Sequence, residues 1–382
     1  MTSLRYEPFP LVEISGTPRM RGLAYGRQAK QRIFKSIAHY KAQAERLGLS
    51  QETLSAIIEK YIPIVSSAGT PAGIFAPYLE EIQGIAEGSG ATFQDIFLLN
   101  ARTEVMKLAV KPELRAQLLS NEATDGCTAV TVMPSATASG HLIHAQNWDW
   151  KEECAETGVV LRILCDDGPS ILTFTEAGML ARSGFNSAGI AITGNNLESD
   201  RDYKRIGLPL PMIRRKALEC EHLALAMHVV HATPKSGSNN MAISHTKGVA
   251  INFECAPDET FQISPENGLL IHANHWISTA AQVKLRDTGI AQSPCTLFRG
   301  TRVRDILSPF IGSITIEHVK NALLDDFDSP WSVCRPPRGD LGRNTRSATV
   351  STVVMEPARG VMEVANMTAL NPNFTSYSLA SN

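Results

Sequence analysis

The residues best placed to do chemistry are Asp125, Gly126, Cys127 and Thr128. A polar run, Asn121 to Thr124, leads into them, and a β-type run, Thr128 to Met133, follows. The Gly126–Cys127 bond therefore falls where a loop ends and a strand begins. A thiol held there can attack the carbonyl of the residue before it, and glycine has no side chain to obstruct the approach. The amide becomes a thioester, water hydrolyses the thioester, and Cys127 is left as a new N-terminus. An α-amine has a reference pKa of about 7.7–8.0 and a thiol about 8.5. One residue would then supply both general base and nucleophile. By itself the stretch fits a small buried cysteine after a turn better.

Such a site needs three more parts. A carboxylate must orient the amine, and Asp149, between Trp148 and Trp150, closes the next strand in a setting that keeps water out. Read in isolation it is also an ordinary turn aspartate. An oxyanion needs a donor, and Ile271 to Trp276 ends an apolar strand with a cluster of side-chain donors. Loss of a carboxamide in that role costs about 10²–10³ in rate. A fixed cation follows at Arg335, beyond the turn residues Asp328 to Trp331, where it would hold a carboxylate or brace the site. Other patterns are weaker. His272 and His275, and His141 and His144, are paired three apart without an obvious third ligand, so no metal is expected. Gly184 to Gly189 reads as a turn, not a phosphate loop, and no GxSxG elbow is present.

The elements that must position these residues fall into two regimes. From residue 11 to 120 the text is mainly helical. Thr17 and Pro18 signal a start, and an amphipathic helix is expected over 19–47, with Gly22 and Gly26 marking a close backbone contact. Further helices are expected at 50–65, 77–88 and, after a cap at Thr92, 96–105. From Cys127 the period changes to short β-rich runs between turns: 128–133, 141–147, 158–165, 170–176, 189–194, 241–246, 249–254, 269–273, 348–355 and 361–366. Helices interrupt at 211–231 and 315–324. The polar region 111–126 reads as an exposed linker. Helices first and then many strands with inserted helices argue a layered α+β architecture.

Composition excludes several classes. The chain has 382 residues, 43% hydrophobic and 19% charged, with a net charge of −2 and no basic stripe, so nucleic acid is not an expected partner. No run of about 18 apolar residues predicts a membrane span, and the first residues carry no apolar signal core. The seven cysteines are scattered, with no CxxC pair, which fits a reducing compartment. A cytoplasmic location is the expectation.

Taken in order, these motifs resemble the acyl-coenzyme A:6-aminopenicillanic-acid acyltransferase (isopenicillin N acyltransferase) family of N-terminal-nucleophile hydrolases. The resemblance runs through Gly16-Thr17-Pro18 with Gly22 and Gly26, Leu79 to Gly88, Leu99 to Glu104, Asp125 to Thr128, Gln146 to Asp149, Thr175 to Gly178, Gly184 to Gly189, His272 to His275, and Cys334-Arg335. It implies a four-layer αββα sandwich. It also implies autocleavage at Gly126–Cys127 into segments 1–126 and 127–382 that remain associated as a heterodimer within one domain. By motif, Cys127 is the nucleophile, Asp149 orients its amine and binds substrate, Asn274 forms the oxyanion hole, and Arg335 is the arginine of the site. Asn195 or Asn196 is similar in placement to a second oxyanion asparagine of the family. Trp150 and Phe185, aromatic and near motif residues, are expected to line an acyl pocket.

The implied activity is transfer of an acyl group from an amide or an acyl-CoA, through a Cys127 thioester, to an amine or to water. No cofactor is expected, and acyl-CoA would enter only as co-substrate. Two departures weigh against penicillin synthesis. Ala129 stands where penicillin-making members carry a hydroxyl residue, and the C-terminus, Ser378 to Asn382, is not a peroxisomal tripeptide signal. A non-catalytic, uncleaved relative acting as a binding or structural protein is the alternative.

Overall fold

Two sheets dominate the computed structural model, which describes residues 6–69, 71–110, 126–339 and 346–380. Residues 111–125 of the expected exposed linker 111–126 lie outside the described residues, and its last residue, Gly126, is instead a buried strand residue. The N-terminal part contains β1 (Leu11–Ser15) and six helices: α1 (Pro18–Gln28), α2 (Lys30–Arg46), α3 (Gln51–Ser67), α4 (Pro77–Ser89), α5 (Phe93–Asn100) and α6 (Arg102–Ala109). Then come β2 (Gly126–Val132), β3 (Ile143–Lys151), β4 (Gly158–Leu164), β5 (Ile171–Glu176), β6 (Ser183–Asn186) and β7 (Ile190–Asn196). Helices α7 (Leu210–Leu218) and α8 (Leu223–Ala232) precede β8 (Asn239–His245), β9 (Val249–Cys255), β10 (Thr260–Ile263) and β11 (Leu269–His272). The C-terminal part holds α9 (Thr279–Lys284), α10 (Thr296–Leu307), α11 (Ile316–Leu323), β12 (Arg338–Gly339), β13 (Arg346–Glu356), β14 (Val361–Asn366) and β15 (Phe374–Ser378).

One sheet runs β1-β4-β5-β6-β7-β8-β9-β10, and the other β11-β2-β3-β13-β14-β15 with β12 on β13. The sheets face each other where β2 and β3 meet β7 and where β13 meets β6. Helices α7 and α8 cover the first sheet, and α10 and α11 cover the second. This is the expected αββα order. Strands β2 and β3 are buried along their whole length because both of their faces are covered, and the polar residues of β3, among them His144, Gln146 and Asn147, spend their polar atoms on buried hydrogen bonds.

The helix starts follow the sequence signals. Thr17 accepts the Met20 amide with Pro18 in the first turn, and Thr92 and Asp95 form a capping box. The long helix expected at 19–47 is two helices that break at Ala29, and the 211–231 segment breaks between Leu218 and Leu223. Strand β1 was not anticipated. Its burial alternates along Leu11 to Ser15, and it pairs parallel with β4. Five residues at the head of a helical region are too short a signal to stand out. Within the expected turn 184–189, Gly184 to Asn186 belong to β6, and the turn that follows closes at Gly189, where φ is +93°.

The close contact expected at Gly22 and Gly26 is the crossing of α1 and α4. A β-carbon on Gly22 would land on the Glu81 carbonyl oxygen and 2.8 Å from the Gly84 α-carbon. Gly84 and Gly88 present the reciprocal surface to Arg19 and Leu23. Two backbones this close admit no methyl group at any of the four positions. Gly22→Ala is therefore expected to lower unfolding stability by about 1–3 kcal/mol, read by urea denaturation.

His144 of β3 bridges the sheets, its ring nitrogens 2.8 Å from Ser244 of β8 and 2.8 Å from Thr193 of β7. Burial lowers its pKa to about 3. The folded ring stays neutral where the unfolded ring takes up a proton, so its contribution is complete above the unfolded value of about 6.5 and is lost as pH falls from there toward the folded value. Urea unfolding at about pH 7 and about pH 5 should show the loss, and His144→Gln should flatten the slope. An unchanged slope in that variant would refute this assignment.

Candidate active site

Cys127 is the second residue of β2, between β11 and β3, and is fully buried. Its backbone N–H donates to Asn274 Oδ1 at 2.7 Å, and its carbonyl accepts from Arg299 Nη1 at 2.6 Å. Strand alternation sends its thiol toward the first sheet. There Arg182 Nη2 donates to Sγ at 3.5 Å, with the guanidinium 4.4 Å from the centre of the Trp148 ring. Gly126 and Thr128 face the other way, toward α10, where Arg299 also donates to Thr128 Oγ1 at 2.6 Å.

Register then sets the carboxylate. Gly126 pairs with Asp149 across β2 and β3, and Asp149 with Thr349 across β3 and β13. Thr349 donates its hydroxyl to Asp149 Oδ1 at 2.6 Å and accepts the Arg335 amide at 2.8 Å. Arg335 Nε stands 3.4 Å from Asp149 Oδ2. That buried oxygen accepts no hydrogen bond among the described residues, and it faces Gly126. A β-carbon on Gly126 would sit 2.8 Å from it and 2.6 Å from Arg335 Nη1. Glycine at 126 is thus a packing requirement as well as an open approach.

Asn274 is held from both ends. Its Oδ1 accepts from Cys127 N and, at 2.8 Å, from Arg299 Nη2, while its Nδ2 donates to the Asn196 carbonyl at 2.9 Å. Two donors on one atom fix the carboxamide orientation. The oxygen, not the amide N–H, is turned to the nucleophile. The loop that carries it is braced from β9. Glu254 accepts from the Ile277 and Ser278 amides and lies 2.7 Å from His272 Nε2. Asn195 and Asn196 differ in use. Asn195 spends both donor hydrogens on the His272 and Ala273 carbonyls at 2.9 and 2.8 Å, whereas Asn196 offers its carbonyl to Asn274. Trp150 donates to the Tyr40 hydroxyl at 2.9 Å, and Phe185 is fully buried; both belong to the main core rather than to the small recess lined by Arg182, Asn195 and Asn196.

The sequence reading passed over three groups. Arg182 is the one charged residue between Glu176 and Glu198, and a lone charge among buried strands is the signal that marks it. Arg299 lies on α10, whose Gly300 and several charges obscured the helix. Burial, with Arg335 nearby, lowers its pKa to about 10, so it stays protonated near neutrality. Cys295 Sγ is 3.1 Å from Arg335 Nη2. Burial raises that thiol's pKa, but Arg335 and Arg299 outweigh it and hold it below the ordinary value.

Two facing sheets between helical layers, with a cysteine heading an inner strand, place the chain in the αββα class. The profile of the family described as acyl-coenzyme A:6-aminopenicillanic acid acyl-transferase matches residues 136–367, and the chain belongs to that family. The acyl-coenzyme A:6-aminopenicillanic-acid-acyltransferase 40 kDa form of Emericella nidulans is 29% identical over 359 residues, 90% of this chain and 89% of that protein. Among solved structures, a mutant of conjugated bile acid hydrolase from Clostridium perfringens superposes with TM-score 0.45 at 12% identity, covering 65% of this chain and 92% of that one. Penicillin V acylase from Agrobacterium tumefaciens does so with TM-score 0.39 at 15% identity, covering 66% and 86%.

Glu254→Ala strands the donors of Ile277 and Ser278 and releases His272. It is expected to cost about 2 kcal/mol or more in urea unfolding and to speed hydrogen exchange at those two amides. Unchanged exchange would show that the Asn274 loop is held by other means.

Proposed function

We propose that the chain is a self-processing cysteine enzyme that cuts itself between Gly126 and Cys127 and then transfers acyl groups through a Cys127 thioester. The observation that carries this reading is the Asp149 carboxylate oxygen that accepts no hydrogen bond among the described residues and faces Gly126. That oxygen is ion-paired with Arg335 at 3.4 Å but accepts no hydrogen bond among the described residues, so an amine freed beside Gly126 would give it the donor it lacks.

In the first step Cys127 Sγ attacks the Gly126 carbonyl, the thiol proton passes to the departing Cys127 nitrogen, and a thioester replaces the amide. Water then hydrolyses the thioester. Gly126 ends as a carboxylate, and Cys127 keeps a free thiol and a free amine. In turnover that amine accepts the thiol proton, with Asp149 and Asn274 Oδ1 as its hydrogen-bond acceptors. The thiolate attacks the acyl carbonyl, and the leaving amine or CoA thiol takes the proton. Water or an acceptor amine attacks the acyl-thioester in its turn, releasing an acid or a new amide.

Arg299 holds Asn274 Oδ1 on the nitrogen side. For Asn274 to serve as oxyanion donor, its Nδ2 must exchange the Asn196 carbonyl for the substrate oxygen. Family membership and the Emericella relative support acyl transfer or amide hydrolysis as the reaction class. The choice between water and an amine lies in the acceptor.

Denaturing intact-mass analysis is expected to show fragments 1–126 and 127–382 for the native sequence and a single full-length chain for Cys127→Ala. Cleavage that persists in Cys127→Ala overturns the autocatalytic step. Incubation with an acyl-CoA and a panel of amines, read by mass spectrometry, is expected to yield N-acyl products. Free acid as the sole product removes the transferase half of the proposal.

A further inference from the structure

Strand β11 pairs with β2 only as far as His272, opposite Ala129. Carried two residues further, the same register sets Asn274 opposite Cys127. The strand has ended there, and two side chains take the place of its backbone. Asn274 Oδ1 accepts the Cys127 N–H at 2.7 Å, and Arg299 Nη1 donates to the Cys127 carbonyl at 2.6 Å. Arg299 Nη2 donates to the same Asn274 Oδ1 at 2.8 Å. The guanidinium thus closes a hydrogen-bonded ring around the backbone of one residue.

Helix α10 carries this ring. Thr296, nearly one turn before Arg299, accepts the Asn274 amide on its hydroxyl at 2.7 Å. Both α10 side chains are fully buried. Arg299 stays protonated near neutrality, since burial and Arg335 lower its pKa only to about 10. Its charge therefore stands beside the Cys127 nitrogen. Both nitrogens lie within hydrogen-bond reach of one oxygen, so their separation cannot exceed the sum of those two distances. A like charge within about 4–6 Å disfavours protonation of an amine, and burial acts in the same direction.

The other charged groups at this corner, among the described residues, are Asp149 on β3, Arg335 ahead of β13, Arg182 ahead of β6, and Glu254 on β9 beside His272. Asp149 favours a protonated amine, but Arg335 shares it at 3.4 Å. Glu254 is taken up by His272 and the Ile277 and Ser278 amides. Cys295 Sγ faces Arg335 at 3.1 Å. Burial pushes the Cys334 thiol up to about 12 and the His275 ring down to about 4, so both are neutral near pH 7.

We infer that Arg299 is a positioning residue for the proposed reaction: it turns the Asn274 oxygen toward the Cys127 nitrogen and, by its charge, keeps the amine freed there unprotonated as general base. The inference rests on the reading of Cys127 as a self-released N-terminal nucleophile and adds the group that sets its base.

The test uses p-nitrophenyl acetate on the whole chain. Cys127 Sγ bonds the acetyl carbon, p-nitrophenolate leaves, and the amine takes the thiol proton. The acetylation rate of the Cys127 peptide, read by mass spectrometry across pH, has an acidic limb set by that amine. For the native chain the limb is expected below about 7.7–8.0, the ordinary α-amine range. Arg299→Gln keeps an N–H donor without the charge and should raise the limb by about one pH unit or more. Arg299→Lys keeps the charge and should hold the limb near its native position. A merely structural role would slow the reaction at every pH, so an unmoved limb in cut Arg299→Gln overturns the inference. So does a native limb at or above about 8, whatever the variants do. Intact mass on the same samples separates the two readings. A cut chain with an unmoved limb sinks only the role of Arg299. A native chain that is never cut, or never acetylated at Cys127, sinks the proposed reaction and this inference with it.

Discussion

Everything around the nucleophile depends on the absence of a β-carbon at Gly126. The Asp149 carboxylate and the Arg335 guanidinium occupy the volume that any side chain at 126 would need. This lets a buried ion pair press against the main chain beside Cys127. Cross-strand register makes the arrangement rigid, since Gly126, Asp149 and Thr349 stand in one row across β2, β3 and β13. A one-residue slip would turn Asp149 to the opposite face and put Trp148 or Trp150 in its place. Apolar burial on both faces of β2 and β3 opposes such a slip.

Around that row the protein concentrates cations. Arg299 and Arg335 lie on the helical side of the second sheet and Arg182 between the sheets, and all three are buried. Concentrating them in a low-dielectric interior is costly unless negative charge or good acceptors are near. Asp149, the Asn274 oxygen and the Cys127 carbonyl meet part of that need. Two thiols lie within hydrogen-bond reach of guanidinium groups, Cys127 of Arg182 and Cys295 of Arg335. At Cys295 the neighbouring Arg335 and Arg299 outweigh burial and favour thiolate over thiol.

The residues that head, pair with and flank the cysteine strand were readable because they sit in short motifs with turn and strand signals on either side. Cys127, Asp149, Asn274 and Arg335 all converge on one row or one hydrogen-bond network. Groups brought in by tertiary structure were not readable. Arg299 reaches the site from a helix whose apolar period is broken by charges and Gly300. Arg182 comes from the residue before a four-residue strand. The direction of the Asn274 carboxamide is set by Arg299, more than twenty residues away, and no local pattern encodes it. Trp150 and Phe185 were placed by nearness in sequence. Both are large apolar groups that the main core claims, and the recess lined by Arg182 is walled mainly by polar side chains. The change of period at Cys127 made a layered α+β architecture legible and the family resemblance supplied the αββα order, while β1 and the breaks at Ala29 and after Leu218 were not legible, because short elements leave few residues from which to read a period.

A cut at Gly126–Cys127 would leave both segments in one core, and the contacts explain why. Ile33, Ile37, Tyr40 and Leu99 of the N-terminal helices share a single apolar cluster with Trp148, Phe174 and Leu180. Polar contacts cross at the same place. The Tyr25 hydroxyl accepts the Gly178 amide at 2.8 Å, the Asn100 side chain bonds Gly178 and Leu180, and Arg102 and Tyr40 both meet Glu176. Strand β1 adds a row of backbone pairing with β4. Together these contacts bury far more than a loop does, and the apolar share of that burial, at about 25 cal/mol per Å², grows with every helix packed against the first sheet. Arg102, Thr103 and Glu104 also line a small recess with Arg182 and Arg214, so the N-terminal helices contribute to its wall as well as to the core.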